Sequence, residues 1–204
     1  MTRSSNISGF TLIEVVTAIG IFTIIAGAVS LFESNIFSYN GSASGSFATV
    51  QDAQVILKII SRDIRMASQG SDGSYAIQIA ATNTLQFFSD VNGDGLKERI
   101  RYSLSGQKLY RTILVPTGSP LTYSGVESTS TILNNVVNDA SLPVFSYFDG
   151  SYLGSTTGAL AQPVSPSAIR LIQVSLKLDA DPKHQVSART YVAAVALRNL
   201  KDNL

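Results

Sequence analysis

The sequence predicts an α+β fold in which a long N-terminal helix, transmembrane in its first half and amphipathic in its second, packs on an antiparallel β-sheet body. Three observations carry this. Residues 10–32, FTLIEVVTAIGIFTIIAGAVSLF, are apolar almost throughout. Residues 50–67 repeat apolar side chains at spacings of three and four, the period of one helix face. From Tyr75 onward, short runs of β-prone residues alternate with clusters of turn formers, the pattern of strands and loops. A helix followed by strands implies a sheet laid against that helix.

The apolar run begins after a short polar head, MTRSSNISG, whose only charged side chain is Arg3. At about 1.5 Å per helical residue, residues 10–32 can cross a hydrocarbon core of roughly 30 Å. Positive charge tends to stay on the cytoplasmic side, so the head favours an N-terminus-in orientation. An ordinary signal peptide would end in a small-residue cleavage site. Ala26-Gly27-Ala28 could serve as one, but the apolar run continues beyond it. A plain single-pass anchor is the other alternative, and it leaves Glu14 unexplained. A carboxylate in an apolar segment is costly and marks a functional position with a partner.

The string Ser8-Gly9-Phe10-Thr11-Leu12-Ile13-Glu14-Val15-Val16 resembles the cleavage and methylation signature of type IV pilin-like proteins. That resemblance implies a leader of residues 1–9, removed by a prepilin peptidase between Gly9 and Phe10, and N-methylation of Phe10. It implies a helix that anchors the subunit in the cytoplasmic membrane before assembly and forms the filament core afterwards. It also suggests that Glu14 pairs with the amino group of Phe10 on a neighbouring subunit, setting register while apolar faces supply packing. Pairing with its own Phe10 amine, one turn away, is the alternative. Gly20, Gly27, Ala18, Ala26 and Ala28 would permit close helix approach, or simply reflect common membrane-helix composition.

Residues 33–70 read as the continuation of the helix. Gly41-Ser42-Ala43-Ser44-Gly45-Ser46 has poor helix propensity and is either a break or a soft segment. The resemblance favours a nearly continuous spine. Beyond it, Val50, Ala53, Leu57, Ile60, Ile64 and Ala67 form the apolar stripe. Gln51, Gln54, Lys58, Arg62 and Arg65 lie opposite, and Gly70 ends the run. Residues 57–70 resemble a pattern of larger minor pilins and pseudopilins, and Arg62, Asp63 and Arg65 there read as solvated or locally paired. Residues 71–204 form the β-rich head. Its strands are expected at 84–89, 98–104, 108–114, 130–137, 143–148, 169–178 and 188–197. A tight turn is expected at Ser105-Gly106, and surface loops at 124–130 and 150–167. Residues 191–199 resemble the closing motif of PilW-type minor pilins and of the J-type pseudopilin of type II secretion. Leu31 stands where major pilins often carry a proline, which argues against a major subunit.

Asp90-Val91-Asn92-Gly93-Asp94-Gly95-Leu96-Lys97-Glu98 reads D-x-N-G-D-G-x-x-E. Oxygen ligands at alternating positions with Gly at the sixth suit a short calcium loop. Asp90, Asn92, Asp94, the Leu96 carbonyl and Glu98 are the candidate ligands. The twelfth position is Arg101, so the loop is not a full EF-hand. The alternative is a hairpin turn, since Asn-Gly and Asp-Gly are strong turn formers. No cofactor other than calcium is implied.

The remaining composition narrows the function. The 204 residues are 45% hydrophobic but 14% charged, against about 25% charged in typical soluble domains. A net charge of +1 gives no electrostatic grip on nucleic acid. There is no cysteine, which excludes disulfides and thiolate chemistry. The single histidine, His184, follows a turn-like Asp181-Pro182-Lys183, and an exposed turn residue is its plainest reading. Enzymatic activity is therefore not expected. The functional expectation is a minor pilin or pseudopilin of a type IV pilus or type II secretion pseudopilus, placed near the tip or in initiation. Its partners would be prepilin peptidase, other pilins or pseudopilins and the membrane. The single-pass precursor would carry its head outside the cytoplasm, and then stand in a filament on the surface or in the periplasm. A pilin-stalked calcium-binding adhesin is the alternative.

Overall fold

The computed structural model describes residues 11–152, 158–179 and 188–197, with the side chains of 28–50 outside that description. One helix, α1, runs from Leu12 to Arg65. It passes unbroken through the Gly/Ser stretch at 41–46, although each glycine costs a helix about 1 kcal/mol relative to alanine. The chain divides into two compact units, residues 1–44 and 45–204, at that same stretch. Among the described residues no helix is long and apolar enough to cross a membrane. The expected span over 10–32 draws partly on Phe10 and on side chains beyond residue 27, which lie outside the described set.

α1 ends at Arg65, short of the expected Gly70. Its last turn tightens, with Ala67 N–H donating to Ile64 O at 3.1 Å, the three-residue closure common at helix ends. Ser68 N–H then donates to Phe88 O at 3.0 Å, and Ala67 pairs with Ser89. The apolar period continues to Ala67, but the sheet has already claimed the backbone there. Gly70 serves close packing: a Cβ there would meet Asp72 Oδ1 at 2.8 Å and the Phe88 ring at 3.1 Å.

The head holds two antiparallel sheets. The first has five strands in the order β1(Ile77–Ala80), β2(Thr84–Ser89), β3(Glu98–Ser105), β4(Lys108–Leu114) and β5(Ser128–Leu133). The second has three: β6(Phe145–Phe148), β7(Leu171–Leu178) and β8(Arg189–Ala196). All seven expected strands are present in whole or part, while β1 was not anticipated. β5 starts at Ser128 and ends at Leu133, so part of the expected 124–130 loop is strand. Its residues gain order from pairing with β4, as in Thr112↔Thr129. In the other expected loop, Pro166–Ala168 form a short 3-10 turn. The β3–β4 turn centres on Gly106-Gln107, not Ser105-Gly106, because Ser105 still pairs with Lys108. Gly106 has φ +58°, which suits the first central position of a tight hairpin.

A single apolar core joins the C-terminal turns of α1 to both sheets. Ala53, Leu57, Ile60, Ile64 and Ala67 are buried as their spacing requires, and Ile172, Val174, Leu176 and Leu178 line one face of β7. Polar seams connect the sheets. Phe145 N–H donates to Thr82 O at 2.9 Å, and the Tyr147 hydroxyl donates to Ala81 O at 2.8 Å. Asn138 donates to Leu142 O and Ser175 O, each at 2.9 Å, and accepts from Lys177 N–H at 2.9 Å.

Candidate functional site

Three places in the chain gather polar side chains with a defined geometry. The first is the start of α1. Thr11 precedes the first helical residue. Its N–H and its hydroxyl both donate to Glu14 Oε2 at 2.9 Å, and Glu14 N–H donates back to Thr11 Oγ1 at 3.4 Å. This reciprocal arrangement is a capping box, which satisfies amides that a helix start leaves orphaned. The T-L-I-E string therefore also starts the helix. The S/T-x-x-E spacing of Thr11 and Glu14 is itself a capping-box signal. Gly9 and Phe10 lie outside the described residues, so neither expected Phe10 amine partner of Glu14 has a position. Downstream, apolar side chains from Leu12 to Ile25 are exposed, including Ile13, Val16, Ile19 and Phe22.

The second place centres on Asp63, which is locally paired with Arg62 as expected but is buried, not solvated, and also bonds to two strands. Asp63 is 0% exposed, and both carboxylate oxygens are engaged. Oδ1 accepts from Arg62 Nη2 at 3.1 Å and Nε at 3.3 Å. Oδ2 accepts from the Tyr102 hydroxyl on β3 and from Arg111 Nη2 on β4, each at 2.7 Å. Arg111 Nε also donates to the Tyr102 oxygen at 3.0 Å. Burial and the neighbouring Asp63 carboxylate push the Tyr102 hydroxyl well above its usual range. Desolvation works against charge on Arg111, but Tyr102 and Asp63 more than offset it and hold its pKa above normal. The cluster is closed and fully paired, so it clamps the helix to the first sheet and presents no free base. Asp63 lies on the apolar face of α1 beside Ile60 and Ile64, and that placement was the overlooked signal. Arg62 and Arg65 are exposed as expected.

The third place is the loop from β2 to β3. Asp90 Oδ1 accepts from Gly93 N–H at 2.7 Å and Oδ2 from Gly95 N–H at 3.0 Å. Asn92 Oδ1 accepts from Asp94 N–H at 3.0 Å, and Asp94 Oδ1 from Leu96 N–H at 2.8 Å. Desolvation opposes charge on Asp90, yet the Gly93 and Gly95 amides and the Lys97 ammonium hold its carboxyl below the usual range. Gly93 and Gly95 have φ of +81° and +90°, a backbone that favours glycine. The loop thus wraps tightly around the Asp90 carboxylate. Its acids stay spread: among the described residues no three carboxylate or imidazole groups are gathered to hold a metal. His184 lies outside the described residues.

The family model for the prokaryotic N-terminal methylation motif matches residues 4–30. The chain's N-terminus carries this motif. The match supports a type IV pilin-like N-terminus. It covers the Gly9-Phe10 junction and Glu14, and it ends before the head begins. No curated protein matches the chain.

Proposed function

We propose that this protein is a non-enzymatic minor pilin or pseudopilin that assembles through α1 into a type IV pilus or a type II secretion pseudopilus, near the tip or in initiation. The observation that carries the reading is the methylation motif at residues 4–30. It leads directly into a helix of 54 residues whose start is apolar and exposed and whose end lies in the head's core. Exposed apolar surface is worth about 25 cal/mol per Å² when buried. The first turns of α1 are therefore stable in lipid or against like helices, and the precursor is a single-pass protein of the cytoplasmic membrane with its N-terminus inside.

Cleavage after Gly9 frees the Phe10 amine. Glu14 then exchanges its capping partner, Thr11, for the methylated amine of a neighbouring subunit's Phe10. That exchange couples processing to register. The PilW-type or J-type assignment rests on the short motifs of residues 57–70 and 191–199.

The test is intact mass and N-terminal sequencing of membrane-extracted protein, from cells with and without active prepilin peptidase. A chain starting at methylated Phe10, formed only with the peptidase, is expected. A chain starting at Met1, or one cut near Ala28, would overturn the proposal.

A further inference from the structure

The corner after β5 gathers polar side chains that the fold does not use. Asn134 and Asn135 follow Leu133 directly. Asn135 has φ +58°, a left-handed conformation that asparagine tolerates better than most residues. Its carbonyl accepts from Asp179 N–H at 3.0 Å, and the next amide, Val136 N–H, donates to Gln107 O at 3.0 Å. Val136 also pairs with Leu178 at the end of β7. The corner is therefore pinned between the β3–β4 hairpin and the second sheet. Its backbone is held while both asparagine side chains stay exposed.

Two hollows adjoin at this corner, and Asn134 and Asn135 line both. The first, of about 280 Å³, adds Ser105, Gln107, Lys108 and Tyr110 from the β3–β4 hairpin. The second, of about 230 Å³, adds Asp52 from α1 and Ile132 and Leu133 from β5. None of the polar side chains in either hollow has a hydrogen-bond or ionic partner among the described residues. Asn92 and Asn138, by contrast, hydrogen-bond within the fold.

We propose that these two hollows form one binding groove for a neutral glycan, with one sugar unit in each. A carboxamide carries donors and acceptors on a single group, and sugar hydroxyls are likewise both. Lys108 and Asp52 supply one charge of each sign, so the groove has no net attraction for a polyanion such as nucleic acid. Tyr110 is half-buried and joins an apolar ring to a polar tip, which suits the apolar face and rim hydroxyls of a pyranose. Peptide recognition anchors side chains in apolar pockets or grooves. Here Leu133 belongs to the core and Ile132 packs against it, so neither leaves an apolar hole. The pinned corner holds its donors in place before binding, which limits the ordering cost. All these residues belong to the unit of residues 45–204, so the site does not depend on how the start of α1 is processed or assembled.

The experiment is two-dimensional NMR of the full, isotope-labelled chain in phosphocholine micelles, which carry no sugar headgroup. The chain is titrated with lactose, cellobiose and N,N′-diacetylchitobiose, and then with a Ser/Ala tetrapeptide. At least one disaccharide should cause saturable shifts in the side-chain amide signals of Gln107, Asn134 and Asn135. Asn134→Ala should weaken that binding about tenfold, the worth of one or two hydrogen bonds. Its melting temperature should match the parent's, because the side chain is exposed and unpartnered. Asn135→Gly should act in the same way, since glycine accepts the positive φ and removes only the carboxamide. Failure of all three sugars to give saturable shifts, or variants that bind as tightly as the parent, would overturn the groove. Saturable shifts with the tetrapeptide and with no sugar would assign the groove to peptides and overturn the glycan.

Discussion

Apolar residues of one helix live in opposite surroundings at its two ends. Near the start, Leu12 is 83% exposed, Phe22 72% and Ile24 74%. Near the end, Ile60 is fully buried and Ile64 almost so. The end carries its own partners: two sheets and the Asp63–Tyr102–Arg111 clamp fold onto it from the same chain. The start has a cap of its own, but the apolar side chains beside it stay exposed on every side of the helix. Contiguous apolar patches on this scale mark interaction surfaces. The difference teaches that hydrophobicity specifies burial without specifying by what. One end of α1 stabilises the fold, and the other leaves its apolar side chains exposed.

The comparison breaks most visibly at Asp63. Asp63→Ala leaves the Arg111 guanidinium without its buried counter-charge and should destabilise the head by about 3–5 kcal/mol, read as a lower urea midpoint. Asp63→Asn, which keeps an acceptor for Tyr102, should cost less. A midpoint within error of the parent would show that the clamp contributes little.

The start of α1 should respond in the opposite sense. Glu14→Gln retains an oxygen acceptor for Thr11 but removes the charge. It should reduce assembled filament in shear fractions at least about tenfold while leaving the head's melting temperature unchanged. Thr11→Ala should cost the helix start about 1 kcal/mol, seen as faster amide exchange at residues 12–15. An effect of either change on head stability would merge two regions that are distinguished here.

The smallest effect belongs to an exposed turn in the head. The Ser141 hydroxyl and amide, the Leu142 amide and the Lys177 ammonium outweigh desolvation and hold the Asp139 carboxyl down to about 2, from an ordinary 3.8. A depressed folded pKa contributes stability above the unfolded value, and that stability is lost as pH falls through about 2. Solvent screening keeps the contribution small. Ser141→Ala should move the Asp139 carboxyl midpoint upward in an NMR titration, with little change in melting temperature at neutral pH.

Much of the fold is legible along the chain because its signals are local. The three-and-four spacing of residues 53–64 marks the buried stripe, the alternation in β7 marks its inner face, and Gly106 sits at a hairpin turn. The short β1, Ile77–Ala80, escaped notice because its burial is uneven along the strand and its order comes from pairing with β2. The helix end was misplaced because a periodic pattern continues to Ala67 even where the backbone has switched its hydrogen bonds to the sheet. At the candidate sites, the T-L-I-E string speaks for processing and capping together. The acidic loop displays its oxygens but hides which of them is buried.

The sequence by itself determined where the helix begins, which face of its second half is apolar, and that a methylation motif lies across its start. These properties depend on residues a few positions apart. Only the tertiary structure decided that Asp63 is a fully paired interior charge, that the strands divide into two sheets, and that Glu98 Oε1 is left buried without a donor. Each of these depends on groups distant in the chain, and a charge or an unpaired oxygen takes its energetic meaning from the neighbours that folding brings to it.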